Sequence, residues 1–89
     1  MYEAVEFVEP RLPAGAPISE RLIGRYAVEA EAVDAARKAR EAFRQSEDYA
    51  WWIVREEGAQ LARWIADNRS HKEFALDLRT GTLVEIPLI

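Results

Sequence analysis

The chain has 89 residues, 49% of them hydrophobic and 31% charged, with a formal net charge of −4. This size and balance predict one globular domain over residues 1–89 and exclude a disordered chain, and the absence of cysteine excludes disulfides, thiolate metal ligands and cysteine nucleophiles. No apolar run approaches the ~20 residues of a membrane span, and an acidic chain is a poor match for the clustered positive surface that binds nucleic acid.

The first third of the chain predicts two strands joined by a proline-containing loop. Residues 2–9 alternate apolar and acidic side chains, which indicates a strand with one face in water. Pro10 ends this strand because proline has no N–H to donate. Residues 21–30 give the second strand, in which larger side chains such as Tyr26 alternate with smaller or charged ones. Gly24 within it predicts a bulge or a close approach of backbone.

The segment from Val33 to about Arg44 predicts the first helix. Three alanines and a phenylalanine recur at helical spacing and form one apolar stripe: Ala32, Ala36, Ala39 and Phe43. Because alanine side chains are short, this stripe can lie close against a sheet. The outer face carries a basic stripe at i, i+3 and i+7: Arg37, Arg40 and Arg44. These arginines either form a solvated surface, with Glu41 as an ion-pair partner, or contact phosphates.

The most informative segment is the strand predicted over residues 49–56. Successive side chains of a strand point to opposite faces. One face therefore carries three large apolar side chains and an arginine: Tyr49, Trp51, Ile53 and Arg55. The opposite face carries Ala50, Trp52 and Val54. Either both faces are covered, the second by a helix or a loop, or one aromatic face is kept for a partner.

A second helix is predicted over Glu57 to Asn68. Leu61, Trp64 and Ile65 occupy positions i, i+3 and i+4, as on one face of a helix. The acidic residues at the start of this segment suit the positive end of a helix dipole. On this prediction Trp64 meets Trp51 or Trp52 across the core.

The last segment predicts a β-hairpin. Two short apolar runs, Phe74–Leu78 and Leu83–Ile86, flank the turn sequence Arg79-Thr80-Gly81-Thr82. Gly81 supplies the positive φ that such a turn needs. The predicted order is thus β-β-α-β-α-β-β. This order indicates a small two-layer α+β domain with one mixed or antiparallel sheet and helices on one face.

Groups that perform catalysis follow no recognisable arrangement in this sequence. His71 is the only histidine, and its neighbour Ser70 does not form a dyad with it because adjacent side chains rarely face each other. The sixteen acidic residues contain no patterned pair, and the four glycines are scattered. Glu56 and Glu57 suit the start of the predicted helix. We therefore predict no catalytic residue, cofactor or metal site and favour a non-enzymatic protein.

The aromatic strand favours a small protein-interaction module, either a homodimer or a subunit of an assembly. The predicted partner-binding residues are Tyr49, Trp51, Trp52, Ile53 and Arg55. One alternative is a small-molecule-binding or enzymatic domain with an aromatic pocket, in which Arg55 or Arg63 holds an anionic group. The other is weak nucleic-acid binding through the basic stripe of the first helix. The expected location is the cytoplasm.

Overall fold

The computed structural model describes residues 1–43 and 48–87. Within these ranges the chain forms, in order, β1 (Tyr2–Glu9), β2 (Ser19–Tyr26), α1 (Glu29–Ala42), β3 (Tyr49–Glu56), β4 (Ala62–Asp67), β5 (Glu73–Asp77) and β6 (Thr82–Ile86). The strands pair antiparallel in one sheet of order β2-β1-β3-β4-β5-β6. The predicted α+β class is therefore only roughly met, because the described residues form mostly sheet, with one helix instead of two.

Four predicted strands lie at their predicted positions or within one residue of them. β1 and β3 have the predicted bounds, 2–9 and 49–56. The predicted hairpin is present as β5 and β6, with Gly81 at φ 73° in the connecting turn. The register of β1 against β2 shifts between Ala4 and Val5, opposite Gly24 and Leu22. The bulge that Gly24 predicted is therefore confirmed.

The helix predicted over Glu57 to Asn68 is wrong, because this segment contains β4. Gly58 has a φ of 84°, and the N–H of Ala59 donates to the carbonyl of Glu56 at 3.0 Å, so that the chain reverses directly after β3. Residues 62–67 fit a strand alternation as well as they fit a helical spacing. Pairing with β3 decides between the two, since it sets Trp64 opposite Val54 and buries the indole.

The boundary between β2 and α1 also differs from the prediction. The strand predicted over 21–30 ends at Tyr26, and the helix predicted from Val33 begins at Glu29. Val28 precedes the helix with extended backbone, at φ −118° and ψ 133°. Glu29 and another acidic residue in the first turn suit the helix dipole, which stabilises this earlier start. The predicted end near Arg44 lies outside the described residues.

The core lies between α1 and one face of the sheet, here called the helix face. The helix contacts β1, β2 and β3. Alanines on both layers let the two approach closely, and two tryptophans fill the remaining space: the buried cluster is Ala4, Ala32, Ala36, Ala50, Trp52, Val54, Trp64 and Ala66. The predicted alanine stripe of the helix is confirmed. The other side of the sheet, the open face, has no described helix or strand against it.

Candidate functional site

The open face is apolar across the sheet. The strand register sets five apolar residues directly opposite one another on five successive strands, in the order Leu22, Val5, Ile53, Ile65 and Phe74. Directly opposed residues project from the same face of a sheet, so these five form one continuous apolar row. Val5 and Ile53, at its centre, are only 1% and 8% exposed. The accessible part of the row therefore lies on its other members.

A second row on this face is aromatic. The ring of Phe7 stacks on that of Trp51, with centroids 5.3 Å apart and planes 9° apart. The ring of Tyr49 lies 5.4 Å from Trp51 on the other side. The guanidinium of Arg69 sits over the Tyr49 ring at 5.5 Å. Ring contacts of this kind stabilise the arrangement of the row beyond the burial of its area.

The two adjacent tryptophans project from opposite faces, as the strand alternation requires. Trp52 is fully buried under α1, where its Nε1–H donates to Glu6 Oε2 at 2.9 Å and its ring meets Phe43 edge-on at 5.6 Å. Trp51 lies on the open face and stays half-exposed. Trp64 joins Trp52 in the helix-face cluster from β4 instead of from a second helix. Trp52 is therefore inaccessible to a partner in the folded protein.

Arg55 belongs to a charged cluster at one end of the open face. Its Nε–H donates to Glu3 Oε1 at 3.1 Å, and Arg25 Nε–H donates to Glu3 Oε2 at 3.2 Å. The Glu3 side chain is nearly buried between the two arginines. Arg55 also approaches Glu20 at 4.0 Å. Sequence reasoning missed Glu3, although its spacing from Val5 already placed it on the same face of β1.

A cavity of about 480 Å³ opens at the other end of the open face. Its walls are mostly aromatic or aliphatic, with three polar side chains: Tyr49, Trp51, Ile65, Ala66, Asp67, Ser70, Lys72, Phe74 and Leu83. Among the polar residues Asp67 is held most firmly. Its Oδ1 accepts the N–H of Arg69 at 3.1 Å, the N–H of Ser70 at 2.8 Å and the hydroxyl of Ser70 at 3.0 Å.

The Asp67 carboxylate is kept ionised and its neighbour Tyr49 is kept neutral. Burial raises the pKa of Asp67, but hydrogen bonds from Ser70 and Arg69 outweigh it and hold the pKa below its ordinary value. Burial, together with the charge of Asp67, raises the pKa of Tyr49. The Tyr49 hydroxyl accordingly donates to Asp67 Oδ2 at 3.3 Å. This pair gives the cavity a polar end.

The basic stripe of the first helix is directed at the sheet. Arg37 donates to Glu73, with Nη2 at 2.6 Å from Oε1, and Arg40 donates to the carbonyls of Asp67 and Ser70. The Arg37 guanidinium lowers the pKa of Glu73. Two arginines of the predicted phosphate-binding surface therefore fasten α1 to β4 and β5, and the third, Arg44, lies outside the described residues.

The remaining candidate residues do not converge on a reaction centre. Arg63 pairs with Glu29 at 3.2 Å and with Glu56 at 3.4 Å, on the helix face. His71 is exposed in the β4–β5 connection. Among residues 1–43 and 48–87, no group of three or more histidines and carboxylates is placed to hold a metal ion. In the same ranges no helix has the length and apolar character needed to cross a membrane.

Comparison of the chain with models of protein families, with curated proteins and with solved structures finds no match. Its function is therefore argued from the geometry of the open face.

Proposed function

We propose that this protein is a small non-enzymatic interaction module that forms a homodimer through the open face of its sheet. The observation that supports this most is the apolar row from Leu22 to Phe74, which crosses five strands with no described element over it. Burial of apolar area is the main favourable term in protein association. A face of this kind is stabilised when a second surface removes it from water.

The exposed area of the chain matches what a dimer needs. A compact monomer of 10.2 kDa exposes roughly 5300 Å². This protein exposes 6087 Å², roughly 800 Å² more than that expectation. An interface of standard size removes about 800 Å² from each partner. The excess is thus of the size that one standard interface removes, and the exposed side chains of Leu22 and Leu83 on the open face contribute to it.

The charges on the open face are compatible with a second copy of the same chain. In a two-fold symmetric dimer the same patch lies on both sides of the interface. The charged cluster holds three acidic and two basic groups: Glu3, Glu20, Glu57, Arg25 and Arg55. Three negative and two positive charges leave the cluster at −1, so the repulsion between two copies is small and is screened by salt.

The partner-binding residues follow from this arrangement. Tyr49 and Trp51 are partly exposed on the open face and Arg55 lies at its rim, whereas Ile53 faces the same side with only 8% of its surface exposed and supports the row from within. Tyrosine and tryptophan are enriched at interface centres, and arginine supplies charged contacts around them. Trp52, the fifth residue predicted from sequence, supports the strand from the core and is not part of the proposed contact. A cytoplasmic location stays a prediction from the sequence.

A matched pair of lysine substitutions tests the proposal. Leu22 is 41% exposed on the open face, whereas Val28 is 51% exposed beside the start of α1. Sedimentation equilibrium of the purified chain should show a monomer–dimer equilibrium. Leu22→Lys should raise the dimer dissociation constant at least about tenfold, because association would bury a charge against the apolar row. Val28→Lys should leave the equilibrium unchanged.

Two results would contradict the dimer. A wild-type chain that sediments as a monomer at all concentrations has no second copy on its open face. Equal association by the Leu22→Lys and Val28→Lys variants would place the contact elsewhere. Far-ultraviolet circular dichroism of both variants checks that the fold is kept, so that loss of association is not mistaken for unfolding.

The cavity beside Tyr49 and Trp51 favours one second candidate, a small-molecule-binding domain. Its volume of about 480 Å³ lies within the range of ligand pockets, as do its mostly apolar walls with a few polar groups at one end. Arg55 and Arg63, which the sequence offered as anion-binding groups, are paired with Glu3 and Glu29. A ligand-dependent change in tryptophan fluorescence across a metabolite panel would support this candidate.

A further inference from the structure

The two edges of the sheet are protected very differently. β2 carries three charged residues, Glu20, Arg21 and Arg25, and a bulge interrupts its register. Arg21 and Arg25 reach across to β1, where they pair with Glu6 at 3.1 Å and with Glu3 at 3.2 Å. Charges and bulges are the devices by which proteins prevent a foreign strand from adding to an edge. The β2 edge is therefore closed to strand addition.

The β6 edge has no bulge and only one charged residue along its length. Its sequence is Thr82-Leu83-Val84-Glu85-Ile86, with one charged residue, a regular register against β5 and four exposed residues out of five. Alternate residues of an antiparallel edge strand direct their N–H and C=O groups away from the sheet. Five residues extend over about 17 Å. Such an edge offers backbone partners to one further short strand.

A cleft lies beside this edge on the helix face. It has a volume of about 340 Å³, with α1 as one wall and β4, β5 and β6 as its floor. Five apolar residues line it, together with the charged Glu29, Arg37 and Arg63 of α1 and β4; the apolar residues are Ala30, Val33, Trp64, Ala75 and Ile86. Every second side chain of a strand added to β6 would project on the helix face. An apolar side chain at such a position would lie next to this cleft.

The open-face side of the same edge carries a carboxylate. Glu85 lies opposite Phe74, which places it on the open face, and Lys72 Nζ is 3.5 Å from its Oε1. Its side chain is still 49% exposed. The neighbouring position on an added strand would be filled best by lysine or arginine, since opposite charges on directly opposed residues attract. The net charge of −4 also favours a basic partner.

We propose that the β6 edge binds an extended basic peptide segment by strand addition. The segment alternates apolar residues, which face the cleft of α1, with lysine or arginine, which faces Glu85. Main-chain hydrogen bonds give such a complex its affinity, and the side-chain pockets give it selectivity. This surface is separate from the open-face contact, since β6 and β2 lie at opposite ends of the strand order.

N-methylated peptides test the backbone pairing directly. The probe is the acetylated and amidated heptapeptide Val-Lys-Val-Lys-Val-Lys-Val, titrated into the isotope-labelled protein and followed by amide chemical shifts. One derivative carries backbone N-methyl groups on its three lysines. The other carries them on three valines, the second, third and fourth. In a strand only every second N–H points at the neighbouring edge. One derivative should therefore lose at least about tenfold in affinity while the other, with the same number of methyl groups, keeps it.

Charge selectivity is tested with Val-Glu-Val-Glu-Val-Glu-Val and with the Glu85→Gln variant. The acidic peptide should bind the wild type several-fold more weakly than the basic one, and Glu85→Gln should narrow that gap. The matched control is Glu31→Gln, which removes the same charge from an exposed residue of α1 that does not line the cleft. In the wild type and in the control variant, the amide shift changes caused by the basic peptide should map to β6 and to the cleft.

Three outcomes would overturn the proposal. These are no binding at about 1 mM basic peptide, equal binding of the two N-methylated derivatives, and shift changes centred on β2 or on the open face.

Discussion

The two faces of the sheet carry the same kinds of residue, but within the described residues only one of them is covered by a helix. Each face takes one member of the adjacent tryptophan pair, Trp52 on the helix face and Trp51 on the open face. Each also has a buried carboxylate between arginine donors, Glu73 and Glu3. The helix face is closed by α1 with alanines at the contact, whereas the open face has no described cover. Composition alone therefore does not distinguish the covered face from the open one; the covering element does.

Truncation of the two tryptophans should give the largest contrast between the faces. Trp52→Ala should lower the free energy of unfolding by about 3–5 kcal/mol, because it empties the centre of the buried cluster. Trp51→Ala should lower it by only about 1 kcal/mol at protein concentrations where the chain is monomeric. Urea unfolding monitored by circular dichroism gives both values. Equal losses would mean that the open face is packed like the core.

The two buried carboxylates, Glu73 and Glu3, should also differ in how much they contribute to the free energy of unfolding. Glu73 accepts three hydrogen bonds from Arg37 and one from Trp64 Nε1, whereas Glu3 accepts one each from Arg25 and Arg55. Glu73→Gln should therefore cost about 1–3 kcal/mol in unfolding free energy, and Glu3→Gln less. Chemical denaturation of both variants measures which substitution causes the larger loss of unfolding free energy. A larger loss for Glu3→Gln would contradict the helix-face network.

Acid should weaken the Glu73 network in a defined pH window. The hydrogen bonds from Arg37 hold the pKa of Glu73 below its ordinary value of 4.5. The folded state thus binds fewer protons than the unfolded state, and the stabilisation is present above pH 4.5 and lost as the pH falls through the folded pKa. The difference in unfolding free energy between the wild type and Glu73→Gln should therefore shrink as the pH falls below 4.5 and through the folded pKa of Glu73. A constant difference would contradict this pairing.

The smallest predicted effect concerns the two aromatic pairs. Phe43 meets Trp52 edge-on at 5.6 Å on the helix face, and Phe7 stacks on Trp51 at 5.3 Å on the open face. Each pair contributes about 0.5–1.5 kcal/mol beyond its buried area. Phe43→Leu should lower the unfolding free energy independently of protein concentration, whereas Phe7→Leu should chiefly weaken self-association. Sedimentation and denaturation of both variants separate these outcomes.

The sequence predicted the strands whose side chains alternate by size or charge. β1 and β3 are examples, and Gly24 and Gly81 marked the bulge and the turn. It did not predict β4, because Leu61, Trp64 and Ile65 also match a helical spacing. Only the pairing of Trp64 opposite Val54 distinguishes the two. Long-range pairing of this kind is not encoded in any local window of residues.

The sequence divided the side chains of β3 between the two faces of the sheet but did not indicate which face stays open. The alternation from Tyr49 to Arg55 separates the two tryptophans correctly between the faces. Which face is covered depends on how many helices the chain forms. The sequence predicts a helix over residues 57–68, whereas this segment contains the strand β4. Because it adds a strand instead of a helix, the open face gains Ile65 and gains no cover.

Contacts between two copies of the chain test the central claim most directly. In an equal mixture of isotope-labelled and unlabelled protein, filtered nuclear Overhauser spectra report only contacts across the interface. The dimer proposed here predicts such contacts from the methyl groups of Ile53 and Ile65 and from the ring of Trp51. Intermolecular contacts confined to α1, or none at concentrations where sedimentation shows a dimer, would contradict it.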